Sequence, residues 1–317
     1  MSAYKALISF LIIGWACVVQ ANPNAYITNQ RSDSVTVIDT ATNKVIKTIK
    51  VGHRPAGVVV SNNGQRVYIS NPESKDISVI DTKTLTVIKT IKVGGGPLAI
   101  AISPDDKTVY VADWYEDSIF FIDTESLTIK TQVKVGNSPS GLVVDPKGLF
   151  LYVANRDDNS VMIIDLIKNH VVNTLKVDKA PFGLALDPIR QELYSANVQS
   201  GDISIIDLNQ NQVIKNIKVG TFPYAIAVDD VYDRLFVTNQ RSNSVSVVSL
   251  KEMETVDTIE VGEYPEGINI HPDKNRLYVV NWFDDMVSVI DIHTLKVIDE
   301  VETEDGCRGY GVFISKK

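Results

Sequence analysis

Apolar and polar residues alternate along this chain in short runs of strand length, and the same runs return every 42 residues. Alternation over four to eight residues marks a half-buried strand. The opening run, Tyr26-Ile27-Thr28-Asn29, recurs at Tyr68, Tyr110, Tyr152, Tyr194, Phe236 and Tyr278. A Ser-led run ending in Asp follows, as in Ser34-Val35-Thr36-Val37-Ile38-Asp39. Next comes a Lys-bearing run that ends in Val-Gly, such as Lys44 to Gly52. Past a Pro, a short run of small residues closes each repeat, as in Gly57-Val58-Val59-Val60. Turn formers such as Asn62-Asn63-Gly64 and Pro104-Asp105-Asp106 separate the runs. No stretch keeps a helical period.

Four strands in a repeat of this length predict a propeller blade. The expectation is an all-β, seven-bladed β-propeller with four-stranded blades, filling residues 22–317. The small-residue run suits the crowded innermost position. The Lys-bearing run suits the outermost one, where charge blunts an open edge. The first repeat opens on what should be a blade's second strand, and the last run is Gly309 to Ile314. That C-terminal strand is expected to join the three N-terminal strands and close the ring.

Phe236-Val237-Thr238-Asn239, followed by Ser244-Val245-Ser246-Val247, carries the repeat in its clearest form. With the Val-Gly and Pro that follow, this pattern resembles the YVTN family of β-propeller repeats of the bacterial periplasmic or secreted type. The resemblance covers essentially all of the chain after residue 22. It implies the propeller fold, and it spans periplasmic propellers, surface-layer proteins and propeller subunits of quinoprotein enzymes. A fold with so many uses leaves function to the site.

Residues 1–21 lie outside the repeat. Lys5, the apolar run Ala6 to Val19, and Val19-Gln20-Ala21 read as a secretory signal cleaved before Asn22. The apolar run is shorter than the roughly 20 residues a membrane span needs. Lipidation at Cys17 is the lesser alternative, because Trp15 stands where a small residue is usual. A periplasmic or secreted monomer is therefore expected. The formal charge of −8 becomes −9 when Lys5 is lost, which argues against a nucleic-acid partner. Cleavage leaves Cys307 as the lone cysteine, and burial against the closing strand is its expected fate.

Residues repeated in every blade should build blades. The Asp series at 39, 81, 123, 165, 207 and 291 and the Asn series from Asn29 to Asn281 therefore read as turn caps. Function is sought where the copies differ, in the loop after the opening run and in the Pro loop. Trp114 and Trp282 stand four repeats apart, nearly opposite across the channel mouth, with Tyr115 and Phe283 beside them. Arg31 and Arg241 are expected to bracket Trp282 and Phe283, with Arg156 and Arg308 on the same face. Loop aromatics next to arginine form an interface composition. Asp113, Glu116, Asp117 and Asp157 are the candidates for a calcium or hydrolase site. No motif indicates a cofactor, a catalytic set or a multi-histidine metal site. The favoured reading is a non-catalytic platform that binds a protein or small molecule at the channel face. An enzyme or enzyme subunit, quinoprotein oxidoreductase or lactonase-like hydrolase, is the alternative, and single-stranded nucleic-acid binding comes third.

Overall fold

The computed structural model describes residues 23–316, so the expected signal segment and Cys17 lie outside the described residues. Twenty-eight strands, β1 to β28 in chain order, form seven blades around a central channel, and no helix occurs among the described residues. In blade 1, β1 (Asn24–Asn29), β2 (Ser34–Asp39) and β3 (Lys44–Lys50) make an antiparallel meander. β4 (Gly57–Val60) is the innermost strand of blade 2. The strand order within blades 2 to 7 follows the same sequence of runs, innermost to outermost. Seven four-stranded blades in a ring is the architecture the 42-residue period predicts.

The period places each residue type by its physical task. Tyr26, Tyr68, Tyr194, Tyr278 and Phe236 are fully buried, so the opening run supplies the large side chains of the core. Small residues are required on the innermost strands because the neighbouring strand's carbonyl approaches there. A Cβ on Gly183 would sit 2.3 Å from the Tyr224 carbonyl oxygen, and one on Gly141 would sit 2.0 Å from that of Phe182. The Asp series caps turns as expected. Asp81 accepts the backbone amides of Lys83 and Thr84, and the Thr84 amide does most to hold its carboxyl below the usual range. The Asn series does something else. Asn29 is fully buried, and its amide donates to Ser34 and Thr36 of the next strand. Asn155 and Asn239 also accept the amides of Gly136 and Gly220 from the preceding blade's Val-Gly loop. These asparagines tie the strands of a blade together, two of them also reaching the preceding blade's loop, and are not turn caps.

The outer edges are protected twice. Each outermost strand carries a bulge, as between Val37 and Ile38 opposite β3, and a bulge twists an edge away from pairing. Lys50, Lys92, Lys134, Lys176 and Lys218 are not only solvated charge. Each ammonium donates to a carbonyl 18 residues upstream, tying the edge to the channel-face turn.

Closure follows the expected plan with one difference. The C-terminal segment runs antiparallel to β1, bridging Asn29 to Cys307 and Ala25 to Ile314. The Arg308 amide donates to the Thr28 carbonyl at 2.8 Å, and the Tyr26 amide donates to the Phe313 carbonyl at 2.8 Å. In blade 3 the corresponding partners of Asp113 and Val109 are Pro97 and Ile102. The closing segment thus spends two more residues over the same stretch of its partner. The excess leaves β1 at Gly309 and Gly311, both at positive φ, and forms β28 (Tyr310–Val312), which pairs parallel with β4. Asn269 of β24 (Pro265–Ile270) fastens the detour, donating to the Gly311 carbonyl and accepting the Phe313 amide. The displaced Tyr310 is carried into the channel.

Candidate functional site

Two columns of the repeat converge on one end of the channel. Each residue that follows the blade Asn or Asp lines the mouth: Gln30, Pro72, Trp114, Arg156, Val198, Gln240 and Trp282. Below them lie residues that follow the loop Pro or its replacement, among them Leu98, Phe182, Tyr224, Glu266 and Arg308. Innermost strands converge on the axis, so residues 42 apart in sequence meet there. The result is a bowl of about 460 Å³.

Its floor is aromatic. The rings of Phe182 and Tyr224 lie 4.3 Å apart, and Tyr310 packs on both at 5.2 and 5.5 Å. The Tyr310 hydroxyl donates to the Phe182 carbonyl. Beyond this floor a second, apolar cavity of about 270 Å³ opens toward the opposite face between the innermost strands.

One charged pair is set into the bowl's side. Arg308 Nε donates to Glu266 Oε2 at 2.5 Å, and Nη2 donates to Glu266 Oε1 at 3.1 Å and to the Tyr224 hydroxyl at 2.7 Å. The Glu266 side chain is 1 % exposed and that of Arg308 15 %. Gln240 donates a further bond to Glu266. Burial opposes the charge on Arg308, but the Glu266 carboxylate and the Tyr224 oxygen outweigh it and raise the guanidinium pKa. Burial likewise pushes the Tyr224 and Tyr310 hydroxyls up, so both stay protonated. Glu266 is absent from the sequence-based site. Its place in the column of Phe182, Tyr224 and Arg308 was the available signal.

The sequence-derived residues divide into three groups. Trp114, Tyr115, Arg156, Trp282 and Arg308 line the bowl, with Tyr115 exposed at the rim. The Tyr115 ring lies over Gly96, where a Cβ would meet it at 2.5 Å. Arg156 sits over Trp114 at 5.8 Å, and Arg308 over Trp282 at 5.6 Å. Arg31 and Phe283 stand just outside. Arg31 lies 5.7 Å from the rings of both Trp282 and Phe283, as expected, and pairs with Asp305. Arg241 departs from expectation. It stacks 3.8 Å from the Phe222 ring, in the loop to which its own backbone amide is tied through the Thr221 carbonyl.

The acidic candidates serve the loops. Asp113 is fully buried, and its carboxylate accepts the amides of Gly96, Tyr115 and Glu116. Asp117 accepts the Ser138 amide, and Asp157 takes the Ser138 hydroxyl and Arg156. No group of three or more ligating side chains is gathered for a metal among the described residues. Cys307 is buried, its thiol donates to the Asn281 carbonyl, and burial pushes its pKa up to about 12. It is an inert part of the closing seam.

Fold and site together define a β-propeller with a ligand-sized bowl at one channel mouth. Comparison agrees on the class: a family described as YNCE-like beta-propeller matches residues 60–148, and one described as lactonase, 7-bladed beta-propeller, matches residues 122–219. Neither match singles out the YVTN repeat family. No curated protein matches the chain. Among solved structures, hydrazine synthase of Kuenenia stuttgartiensis aligns with a TM-score of 0.76 at 22% identity, over 89% of this chain and 99% of that one. A functionally unknown protein from Desulfotomaculum acetoxidans DSM 771 gives 0.79 at 12% identity, over 91% and 99%. Dihydro-heme d1 dehydrogenase NirN, in complex with DHE, gives 0.70 at 14% identity, over 90% and 74%. At these identities the likeness is one of fold.

Proposed function

We propose that this protein is an exported β-propeller that binds a ligand in the channel-face bowl without transforming it. The observation that carries this reading is the bowl's composition. Trp114 and Trp282 stand in its wall, Phe182, Tyr224 and Tyr310 form its floor, and a buried Arg308–Glu266 pair sits at its side. A concave, mainly apolar site with a few convergent polar groups is how small-molecule sites are built. Export rests on the signal-like pattern of residues 1–21, Lys5 followed by an apolar run and Val19-Gln20-Ala21. Protein recovered from its native envelope should carry a small molecule that mass spectrometry detects, and Trp114→Leu should lose it. A molecule retained equally by the variant, or none in either protein, refutes bowl binding.

A second reading has a specific support, the match to lactonase-type propellers over residues 122–219. Hydrolysis of a lactone in the same bowl would fall to Glu73 or Glu266, the carboxylates among its lining residues. Turnover of a lactone that Glu73→Gln or Glu266→Gln abolishes would establish it.

A further inference from the structure

Resting on the bowl as the binding site, we infer that its ligand is a flat aromatic molecule that meets Arg308 with an uncharged hydrogen-bond acceptor, such as a carbonyl or carboxamide oxygen.

The surfaces require flatness. Trp114 and Trp282 stand on opposite sides of the mouth above the aromatic floor, and the cavity of about 460 Å³ has room for two fused rings. Flat aromatics stack on such walls with little entropy lost.

The acceptor follows from how Arg308 is held. Its Nε and Nη2 are spent on Glu266 and Tyr224, and Nη1 makes no hydrogen bond within the protein. Nη1 is not among the buried unpaired atoms, so solvent reaches it, and the residue lines the bowl. A fixed guanidinium therefore offers one free N–H edge to whatever enters. The indole N–H of Trp282, whose ring lies 5.6 Å from Arg308, also lacks a partner but is closed off from solvent. The guanidinium edge is therefore the donor within a ligand's reach.

The charge of the acceptor follows from Glu266. Arg308 and Glu266 already neutralise one another in a water-poor setting. A carboxylate ligand at Nη1 would stand beside the Glu266 carboxylate, and like charges repel strongly at low dielectric. A carbonyl accepts the same charge-assisted bond without that repulsion. The other arginines that line the bowl, Arg54 and Arg156, are themselves paired with Glu73 and Asp157.

Three probes sharing one ring system separate these terms: 2-naphthamide, 2-naphthoate and 2-ethylnaphthalene. Binding to the protein would be measured by isothermal titration calorimetry and by tryptophan emission, because Trp114 and Trp282 are the tryptophans of the described residues. The amide should bind at least tenfold more tightly than either the anion or the hydrocarbon. Arg308→Lys should erase the preference for the amide over the hydrocarbon. Trp282→Phe, which deletes an N–H closed off from the cavity, should leave the preference for the amide over the hydrocarbon in place. Tighter binding of the naphthoate, equal binding of all three, or binding of none overturns the inference. Those outcomes leave bowl binding standing if a native molecule is still lost with Trp114→Leu, and refute both if it is not.

Discussion

Phe313 is the residue on which ring closure should depend most. It is fully buried in the cluster that joins blade 1 to blade 7, with Tyr26, Tyr278 and Val280 among its members. Truncation of a buried Phe to Ala costs about 3–5 kcal/mol, through lost transfer energy and the cavity left behind. Each kcal/mol shifts Tm by about 2–4 °C in proteins of 150–250 residues, so Phe313→Ala should lower Tm by roughly 6–20 °C. Its neighbour Val312 is 49% exposed on the short parallel strand. Val312→Ala should stay within about 0.5 kcal/mol of the parent. Removing residues 309–317 goes further, because it takes out the burial of Tyr310, Phe313 and Ile314 at about 1.5–3 kcal/mol each. The seam's hydrogen bonds go with them, at about 1 kcal/mol each. That loss is comparable to the about 5–15 kcal/mol that holds a whole domain together. The deletion should abolish cooperative unfolding in guanidinium, followed by far-ultraviolet circular dichroism and tryptophan emission. A deleted protein with the parent's midpoint, or a Val312→Ala as costly as Phe313→Ala, would refute the account of closure.

Other consequences can be checked separately. Cys307, buried with its pKa pushed up to about 12, should react with a thiol reagent only as fast as the closing segment opens, so Phe313→Ala should speed labelling more than tenfold while Val312→Ala should not. His271, 2.9 Å from both Thr40 and Asp273 at the seam of blades 7 and 1, has its pKa lowered mainly by burial; its neutral form is favoured in the folded state, so its contribution is full above about pH 6.5 and falls as pH drops below that value, a loss that His271→Gln should remove from urea midpoints measured between pH 7.5 and 5. Arg308→Met leaves the Glu266 carboxylate buried and unpaired and should destabilise by about 3–5 kcal/mol, whereas Arg308→Met with Glu266→Met should recover most of that in the same denaturant assay. Gly183→Ala drives a methyl toward the Tyr224 carbonyl and should cost about 1–3 kcal/mol by the same measurement.

The ring was legible because its information is periodic: seven copies of one strand pattern state the blade, the count and the order of the runs. What escaped was local or relational. The two extra residues of the closing segment show in the sequence only as Gly309-Tyr310-Gly311, and no propensity says that the chain will leave β1 for β4 there. Glu266 looks like one acid among many in a loop. Its role depends on Arg308, 42 residues on, which becomes a neighbour only once innermost strands converge on the axis. The Asn series was misassigned for a related reason, since its partners include the preceding blade's loop. Arg241 shows the remaining limit, because the direction of an exposed loop side chain depends on the backbone of the loop beside it.

The segment that closes the ring also builds the bowl. Cys307 and Phe313 seal blade 1, while Arg308 and Tyr310, between them, supply the charged side and part of the floor. A propeller whose last blade is made from both termini has its least secure contact at that joint. Here the joint carries the residues a ligand would touch. Anything that binds the closed ring and not the open one stabilises closure by RT ln(1 + [L]/Kd), about 2.7 kcal/mol at a hundredfold excess over Kd. That is close to the cost of losing one buried side chain at the seam. Occupancy of the bowl should therefore slow the labelling of Cys307, whose buried thiol is not part of the bowl's lining. On that reading, the detour at Gly309 and Gly311 would couple a full bowl to a shut ring.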